Sequence, residues 1–324
     1  MNKKTSFIHS SFCRKYIMIF VFAAMMIIFA INSKNFFTVS NLSNTVITQV
    51  AAGFLAMGGM FILITNEFDL SLGYNLCFCM IIGAYFCGQG WPAPGVILAM
   101  LLTGTIFGLL NGILVVKLQI SSFIVTLAVG LTLSGFSQAV SGGGILYISQ
   151  PQSIINFTRG TIGKNGIGYC VILLLLFFAI LEVVLAHTAY GRQLYAVGVS
   201  KKIAHLAGIQ TDKIRISAFS AAGFFAGLGG LMLMGQLGAA SPSYGTSYLL
   251  PGYATVFLST TSFKPGYINV PGVILSMLIV TFGSNGVQMI GGNTAVSNVF
   301  QGLLLIFAMW LSTRFSRVSF LGGE

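Results

Sequence analysis

Apolar runs of about 17–25 residues, broken by short polar, glycine- or proline-bearing segments, recur along the whole chain, and a helix of that length crosses the hydrocarbon core of a bilayer. Ten such spans are predicted, at residues 16–31, 42–65, 69–88, 94–116, 120–141, 168–187, 214–236, 250–263, 267–290 and 294–313. The pattern predicts an all-α polytopic membrane protein with a leader at 1–15, a single transmembrane domain at 16–313 and a tail at 314–324. The longest segments between spans, 142–167 and 188–213, are too short to form a soluble domain.

The eighth span departs from the pattern. Its 14 residues rise only ~21 Å as a helix, against a core about 30 Å thick. Pro251 and Gly252 lie near its start, and "GAASPSYGTSY" precedes it. The reading is a short or broken helix lining a polar path, or a span tilted into a locally thinned bilayer. A weak internal echo relates "DLSLGYNLCFCMIIGAYFCG" from Asp69 to "KPGYINVPGVILSMLIVTFG" from Lys264. The two segments make spans three and nine candidates for a parallel repeat. Glycines point to close helix packing: Gly104, Gly108 and Gly112 share one face of span four, as Gly223 and Gly227 do in span seven.

Composition agrees with the pattern. Hydrophobic residues make up 56 % and charged residues 6 % of the chain, whereas roughly a quarter of a soluble domain is charged. The net charge of +11 reflects topology rather than nucleic-acid binding, because no basic run exceeds two residues. With the N-terminus inside, Lys3, Lys4, Arg14, Lys15, Lys117, Arg192, Lys201, Lys202, Lys213, Arg215, Lys264, Arg314 and Arg317 fall on the cytoplasmic side. Lys34, Arg159 and Lys164 fall outside. This asymmetry favours an even count of ten spans with both termini cytoplasmic. "FAINSKNF" after the first span has no small-x-small cleavage pattern, so that span is read as an uncleaved anchor.

The candidate chemistry is sparse. Cys13, Cys77, Cys79, Cys87 and Cys170 form neither a disulfide framework nor a zinc spacing, and read as packing residues. The five acids are Glu67, Asp69, Glu182, Asp212 and Glu324, and none is placed deep in a span, where an ion-coupled carrier usually keeps one. The histidines His9, His187 and His205 lie in the leader, at a span end and in the 188–213 segment. Neither a His-Glu-x-x-His nor a phosphate-binding G-x-x-x-x-G-K-[ST] occurs. Energy for active transport would therefore come from another polypeptide.

The segment "YAVGVSKKIAHLAGIQTDKIR" is a cationic insert between spans six and seven. Ile203, Leu206 and Ala207 share one helical face, with Lys201, Lys202 and His205 largely opposite. Ser200 is a suitable N-cap and Gly208 a suitable terminator. A helix this short is marginal alone, and cations in its first turn oppose the macrodipole by roughly 0.3–1 kcal/mol each. An external negative partner is expected, either anionic headgroups or an acidic groove on a cytoplasmic protein.

Read with its continuation "ISAFSAAGFFAGLGGLM", this insert resembles the cytoplasmic loop and following helix of the permease subunits of ribose-type sugar ABC importers. Their loop runs approximately A-x-G-x-N-x-E-A-A-R-L-A-G-I. Further matches follow in order: "FDLSLG" at 68–73, "NGILVVKLQISSFIVTLAVG" at 111–130 and "ASPSYGTSYLLPGYATVFLSTTSFKPG" at 240–266. Together they cover most of residues 45–313.

The resemblance implies a permease subunit of the bacterial cytoplasmic (inner) membrane, working with a second permease subunit, identical or paralogous. Two cytoplasmic ATPases would drive it, and a periplasmic or lipid-anchored solute-binding protein would deliver the sugar. ATP and Mg would be bound by the ATPases and no cofactor by this chain. Ser200, Lys201, Lys202, Ile203, His205, Leu206, Ala207, Gly208 and Ile209 would form the coupling helix, with Ile203, Leu206 and Ala207 as its buried contacts. The chain departs from the family at Lys202, where an acid is usual, and at His205, Lys201 and the pair Ser121-Ser122. The charge reversal at Lys202 implies a dedicated ATPase with an acidic cleft, or weakened coupling.

A path for a neutral, hydroxyl-rich solute suits amides, hydroxyls and aromatic faces. Candidates are Asn111, Thr126, Gln138, Asn285 and Gln288, with Phe123 as a gate, each set against a role as interhelical glue. Asp69 and Ser71 read as caps of the helix beginning "LSLG". Ribose, another pentose or hexose, a polyol and a sugar-like signalling molecule all fit. The competing classes are an ion-coupled secondary transporter of a small polar solute, which the scarcity of deep acids disfavours, and a membrane enzyme, for which no catalytic constellation occurs.

Overall fold

The computed structural model describes residues 11–315 apart from 150, 164 and 165, with side chains at Tyr16 and from 18 to 310. Lys3, Lys4, His9, Lys164, Arg317 and Glu324 lie outside the described residues, as do the side chains of Cys13, Arg14, Lys15 and Arg314. The order of helices is α1 Ser11–Asn32, α2 Val39–Thr48, α3 Val50–Ile64, α4 Leu72–Gly88, α5 Ala93–Leu118, α6 Ser122–Ser141 and α7 Gln152–Arg159. There follow α8 Tyr169–His187, α9 Ala189–Val199, α10 Lys201–Leu206, α11 Thr211–Leu237, α12 Thr246–Ser259, α13 Val270–Met289 and α14 Thr294–Phe315. Two short strands, β1 Leu146–Tyr147 and β2 Ala239–Ala240, pair antiparallel.

A helix, or a bent pair of helices, coincides with each expected span. Among the described residues five helices, α5, α6, α8, α11 and α13, are long and apolar enough to cross a membrane, and six spans result if α2 and α3, bent by 43°, count as one. The expected eighth span is α12, which is short at 14 residues and contains Pro251. Its limits differ from the expected 250–263. It ends at Ser259, where the backbone tightens: the N–H groups of Thr260, Thr261 and Ser262 donate to the carbonyls three residues back, and Phe263 turns the chain at φ 57°. Asn269 then receives the Gly272 N–H at 2.8 Å and so caps α13. The long segments are also more ordered than the hydropathy pattern indicates, since 142–167 holds β1 and α7 and 188–213 holds α9 and α10.

The chain divides into two compact units. In the unit from Ile47 to Leu249, α11 packs against α5, α3 and α4. All fifteen residues of α3 are buried, as expected of a helix apolar on every side. The glycine rows read from the sequence face each other. A Cβ at Gly104 would strike the Gly223 carbonyl oxygen, one at Gly108 the Phe219 carbonyl, and one at Gly223 the Gly104 carbonyl. Gly112 meets Ile216, and Gly227 meets Met100 and Leu101. Helices in lipid gain no hydrophobic drive to associate, so this backbone approach supplies dispersion contact instead. At the far end of α11, Gly238 adopts the left-handed conformation and the Arg159 Nε donates to the Gln236 carbonyl at 3.0 Å, a cation satisfying a helix C-terminus.

The other unit comprises the described residues up to Val46 and from Leu250 onward. In it α13 packs against α1 and α14, and Phe29, Phe36 and Phe282 form a buried aromatic core. A Cβ at Gly286 would enter the Phe29 ring, so glycine makes room for that aromatic.

Candidate functional site

The turn between α3 and α4, residues 65–71, gathers most of the buried polar chemistry of its unit. Asn66 adopts a left-handed conformation at φ 56° and closes α3: its N–H donates to the Leu63 carbonyl at 3.1 Å, and the Glu67 N–H to the Ile62 carbonyl at 3.1 Å. This is the two-bond helix stop in which Asn serves as well as Gly. It delivers Glu67 and Asp69 into buried positions.

Glu67 is the charged centre. Its Oε1 accepts from Lys201 Nζ at 2.6 Å, from Arg215 Nε at 2.9 Å and from Arg215 Nη2 at 2.7 Å. The carboxylate side chain is 6 % exposed, Arg215 16 % and Lys201 44 %. The expectation that Lys201 needs an external anion is corrected here: the chain itself supplies one, 134 residues away in sequence. No local sequence pattern carries that pairing. The remaining signal was compositional, since an acid and two cations are conspicuous in a chain with 6 % charged residues.

Asp69 organises the second half of the turn. Its Oδ1 accepts from the Ser71 N–H at 2.8 Å and from Ser71 Oγ at 2.6 Å, and Asn111 Nδ2 donates to Ser71 Oγ at 2.7 Å. Asp69 is therefore the side chain that caps the start of α4. Ser71 stands at the cap position but makes no side-chain cap bond of its own. The backbone of the turn also reaches α6. The Phe68 N–H donates to Ser122 Oγ at 3.1 Å and the Leu70 N–H to Thr126 Oγ1 at 3.0 Å.

Of the path candidates, Asn111 and Thr126 thus meet the same turn and are fully buried. Phe123 is half exposed, and Gln138 is exposed and bonded to Ser134 one turn back on α6. In the other unit, Asn285 and Asn41 form a reciprocal amide pair at 3.1 and 3.2 Å, and Gln288 donates to Ser297 at 3.2 Å. These four amide and hydroxyl groups tie α13 to α2 and α14.

The insert is a capped platform. Thr188 caps α9 by accepting the Gly191 N–H at 3.2 Å, and the Tyr190 hydroxyl bonds Ser217 Oγ on α11 at 2.8 Å. Burial raises the Tyr190 phenol above its ordinary range; it also raises Tyr195, with a further push from the Glu182 carboxylate. Gly198 allows α9 to touch the end of α3, because a Cβ there would meet the Ile64 carbonyl.

Ser200 caps α10, its Oγ accepting from the Ile203 N–H at 3.3 Å. Gly208, at φ 82°, ends it: the Gly208 N–H donates to His205 O at 2.9 Å and the Ile209 N–H to Ala204 O at 3.0 Å. Ala204 faces inward, while Ile203 and Leu206 are 67 % and 78 % exposed. A cavity of about 520 Å³ lies beside this platform, lined by Glu67, Lys201, Asp212 and Arg215 together with Gln119, Ile120 and Ser121 of the α5–α6 loop and Ser122 and Phe123 at the start of α6.

Long apolar helices, buried amide and hydroxyl ties and a short capped helix held by the Lys201–Glu67 ion pair are the build of a helical membrane protein. Residues 41–309 match the family model described as "Branched-chain amino acid transport system / permease component", and the chain belongs to that family. It is 28 % identical over 295 residues to the ribose import permease protein RbsC of Escherichia coli K12, covering 90 % of this chain and 92 % of the relative. It is 30 % identical over 291 residues to RbsC of Bacillus subtilis, covering 90 % of each. It is also 28 % identical over 361 residues to the xylose transport system permease protein XylH of Haemophilus influenzae, covering 92 % of this chain and 96 % of the relative. The resemblance to ribose-type sugar permeases, drawn from motifs spread over 45–313, is borne out.

Proposed function

We propose that the chain is the path-forming permease subunit of an ATP-driven, binding-protein-dependent importer of a monosaccharide or sugar-like small molecule in a bacterial inner membrane. In this reading α10 docks on a separate ATPase that binds ATP and Mg, a second permease subunit completes the path, and a solute-binding protein supplies the cargo. The observation that carries it is the outward-facing pair Ile203 and Leu206 on a helix capped at both ends. Two large apolar side chains held out on a rigid mount in a cationic segment suit a protein groove, where burial stabilises by about 1.5–3 kcal/mol each. The ribose and xylose permeases among the relatives support a sugar as cargo.

The ten-span arrangement with both termini cytoplasmic belongs to the same reading, supported by the coincidence of a helix or helix pair with each expected span. The parallel repeat is supported by a left-handed residue in each turn concerned, Asn66 before α4 and Phe263 before α13. The test is reconstitution. Proteoliposomes containing this chain, the ATPase and the binding protein accumulate labelled D-ribose, D-xylose or another monosaccharide with ATP, and accumulate none without the ATPase. Accumulation against a gradient by this chain alone contradicts the proposal and returns the ion-coupled reading.

A further inference from the structure

Glu67 holds two segments of the cytoplasmic platform at once. It binds Lys201, the first residue of α10, and Arg215, on the first turns of α11, through the same carboxylate oxygen. Glu67 also belongs to the turn whose backbone donates to Ser122 and Thr126 at the start of α6. A short series of contacts therefore runs from Lys201 through Glu67 and the adjacent Phe68 to Ser122. The cavity of about 520 Å³ beside it is lined by Lys201 and by the α5–α6 loop, which leaves room for α10 to shift relative to that loop.

We propose that Glu67 is a positioning residue that couples the displacement of α10 to the start of α6, so that force applied at α10 reaches the α5–α6 loop through this carboxylate. The inference rests on the docking role proposed for α10 and assigns the link beyond it. Charge is essential to the link. A buried carboxylate between two cations holds α10 and α11 at a fixed separation, and a neutral side chain at the same place releases Lys201 to solvent. Asp212 is the other acid that lines the same cavity.

The experiment uses the full chain assembled with its ATPase in nanodiscs. A reporter cysteine replaces the exposed Ser121 in a background carrying Cys13→Ser, where the four remaining cysteines are buried. The rate of maleimide labelling is read with and without MgATP. The parent is expected to change its rate on MgATP addition by about fivefold or more. Glu67→Gln and Lys201→Gln are expected to lose most of that response while still co-purifying with the ATPase. Lys201→Arg, which keeps a cation on Glu67 and leaves Arg215 its acid, is expected to retain the response, and Lys201→Glu is expected to lose it.

A full response in Glu67→Gln overturns the inference and leaves the docking role standing. A loss in Lys201→Arg as large as that in Lys201→Gln also overturns it, because the charge pair is then not the link. A parent that binds the ATPase but shows no MgATP response overturns the inference and leaves the docking role standing; a Leu206→Asp variant that still binds the ATPase overturns the docking role. Independently of any ATPase, Glu67→Cys with Lys201→Cys is expected to be joined in the membrane-embedded chain by a bifunctional thiol cross-linker about as long as the two side chains that meet there, and failure to do so removes the juxtaposition itself.

Discussion

Gly104 and Gly223 meet backbone to backbone, such that a Cβ on either would enter the carbonyl oxygen of the other. Neither helix can rotate this contact toward lipid without losing the whole row formed with Gly108, Gly112 and Gly227. The seam between α5 and α11 is thus the rigid spine against which the turn 65–71 and the α6 start are placed.

Gly223→Val is expected to destabilise the protein by at least the ~1–3 kcal/mol typical of overpacking, since backbone cannot move aside as a side chain can. Size-exclusion chromatography of detergent-solubilised protein after heating should show a lower midpoint for this variant than for Gly302→Ala, which has open space around its Cβ.

Asp69→Ala removes the acceptor for the Ser71 N–H and Oγ in a fully buried turn. A loss of about 1.5–3 kcal/mol is expected, the range for hydrogen bonds to a charged group. Thermal stability and proteolysis within the α3–α4 turn should report it. Asp69→Asn, which retains one acceptor oxygen, should lose less.

Ser200→Ala deletes the N-cap of a six-residue helix. The expected local cost is about 0.5–2 kcal/mol. Because α10 is largely exposed, the effect should appear as faster hydrogen exchange at residues 203–207, by up to about 30-fold, with an unchanged global unfolding midpoint.

Asn285→Leu breaks the amide pair with Asn41 between α13 and α2. As interhelical glue the pair is expected to show a coupling near ~0.6 kcal/mol in a double-mutant cycle with Asn41→Leu. A path role for Asn285 predicts instead a change in solute uptake at unchanged stability, so the two measurements together separate the roles.

Much of this fold was legible in the sequence because its main signals are local. Apolar length placed the helices, glycine spacing placed the α5–α11 seam, and the Ser200 and Gly208 pair placed the ends of α10. α9 was missed because Gly191, Arg192, Gln193 and Gly198 interrupt its apolar positions, and it is held by Tyr190 on Ser217 and by Gly198 against α3, contacts that no period reveals. The same reasoning explains Lys201. Its unfavourable place in the first turn of α10 was visible in the sequence, but the compensating acid lies in another turn, brought near by the packing of α3 and α11. The limits of α12 shifted because the chain tightens into a turn after Ser259 and reverses at Phe263, and hydropathy does not register a backbone turn as a break.

The most direct test of the account is Leu206→Asp, made in the intact transporter and read as ATP-driven sugar uptake alongside ATPase co-purification. Leu206 is exposed and Ala204, not Leu206, faces the protein interior, so membrane insertion and thermal stability should be unchanged. The account predicts that the ATPase no longer co-purifies and that uptake falls to the level of membranes without it. Undiminished uptake with the ATPase still bound contradicts it.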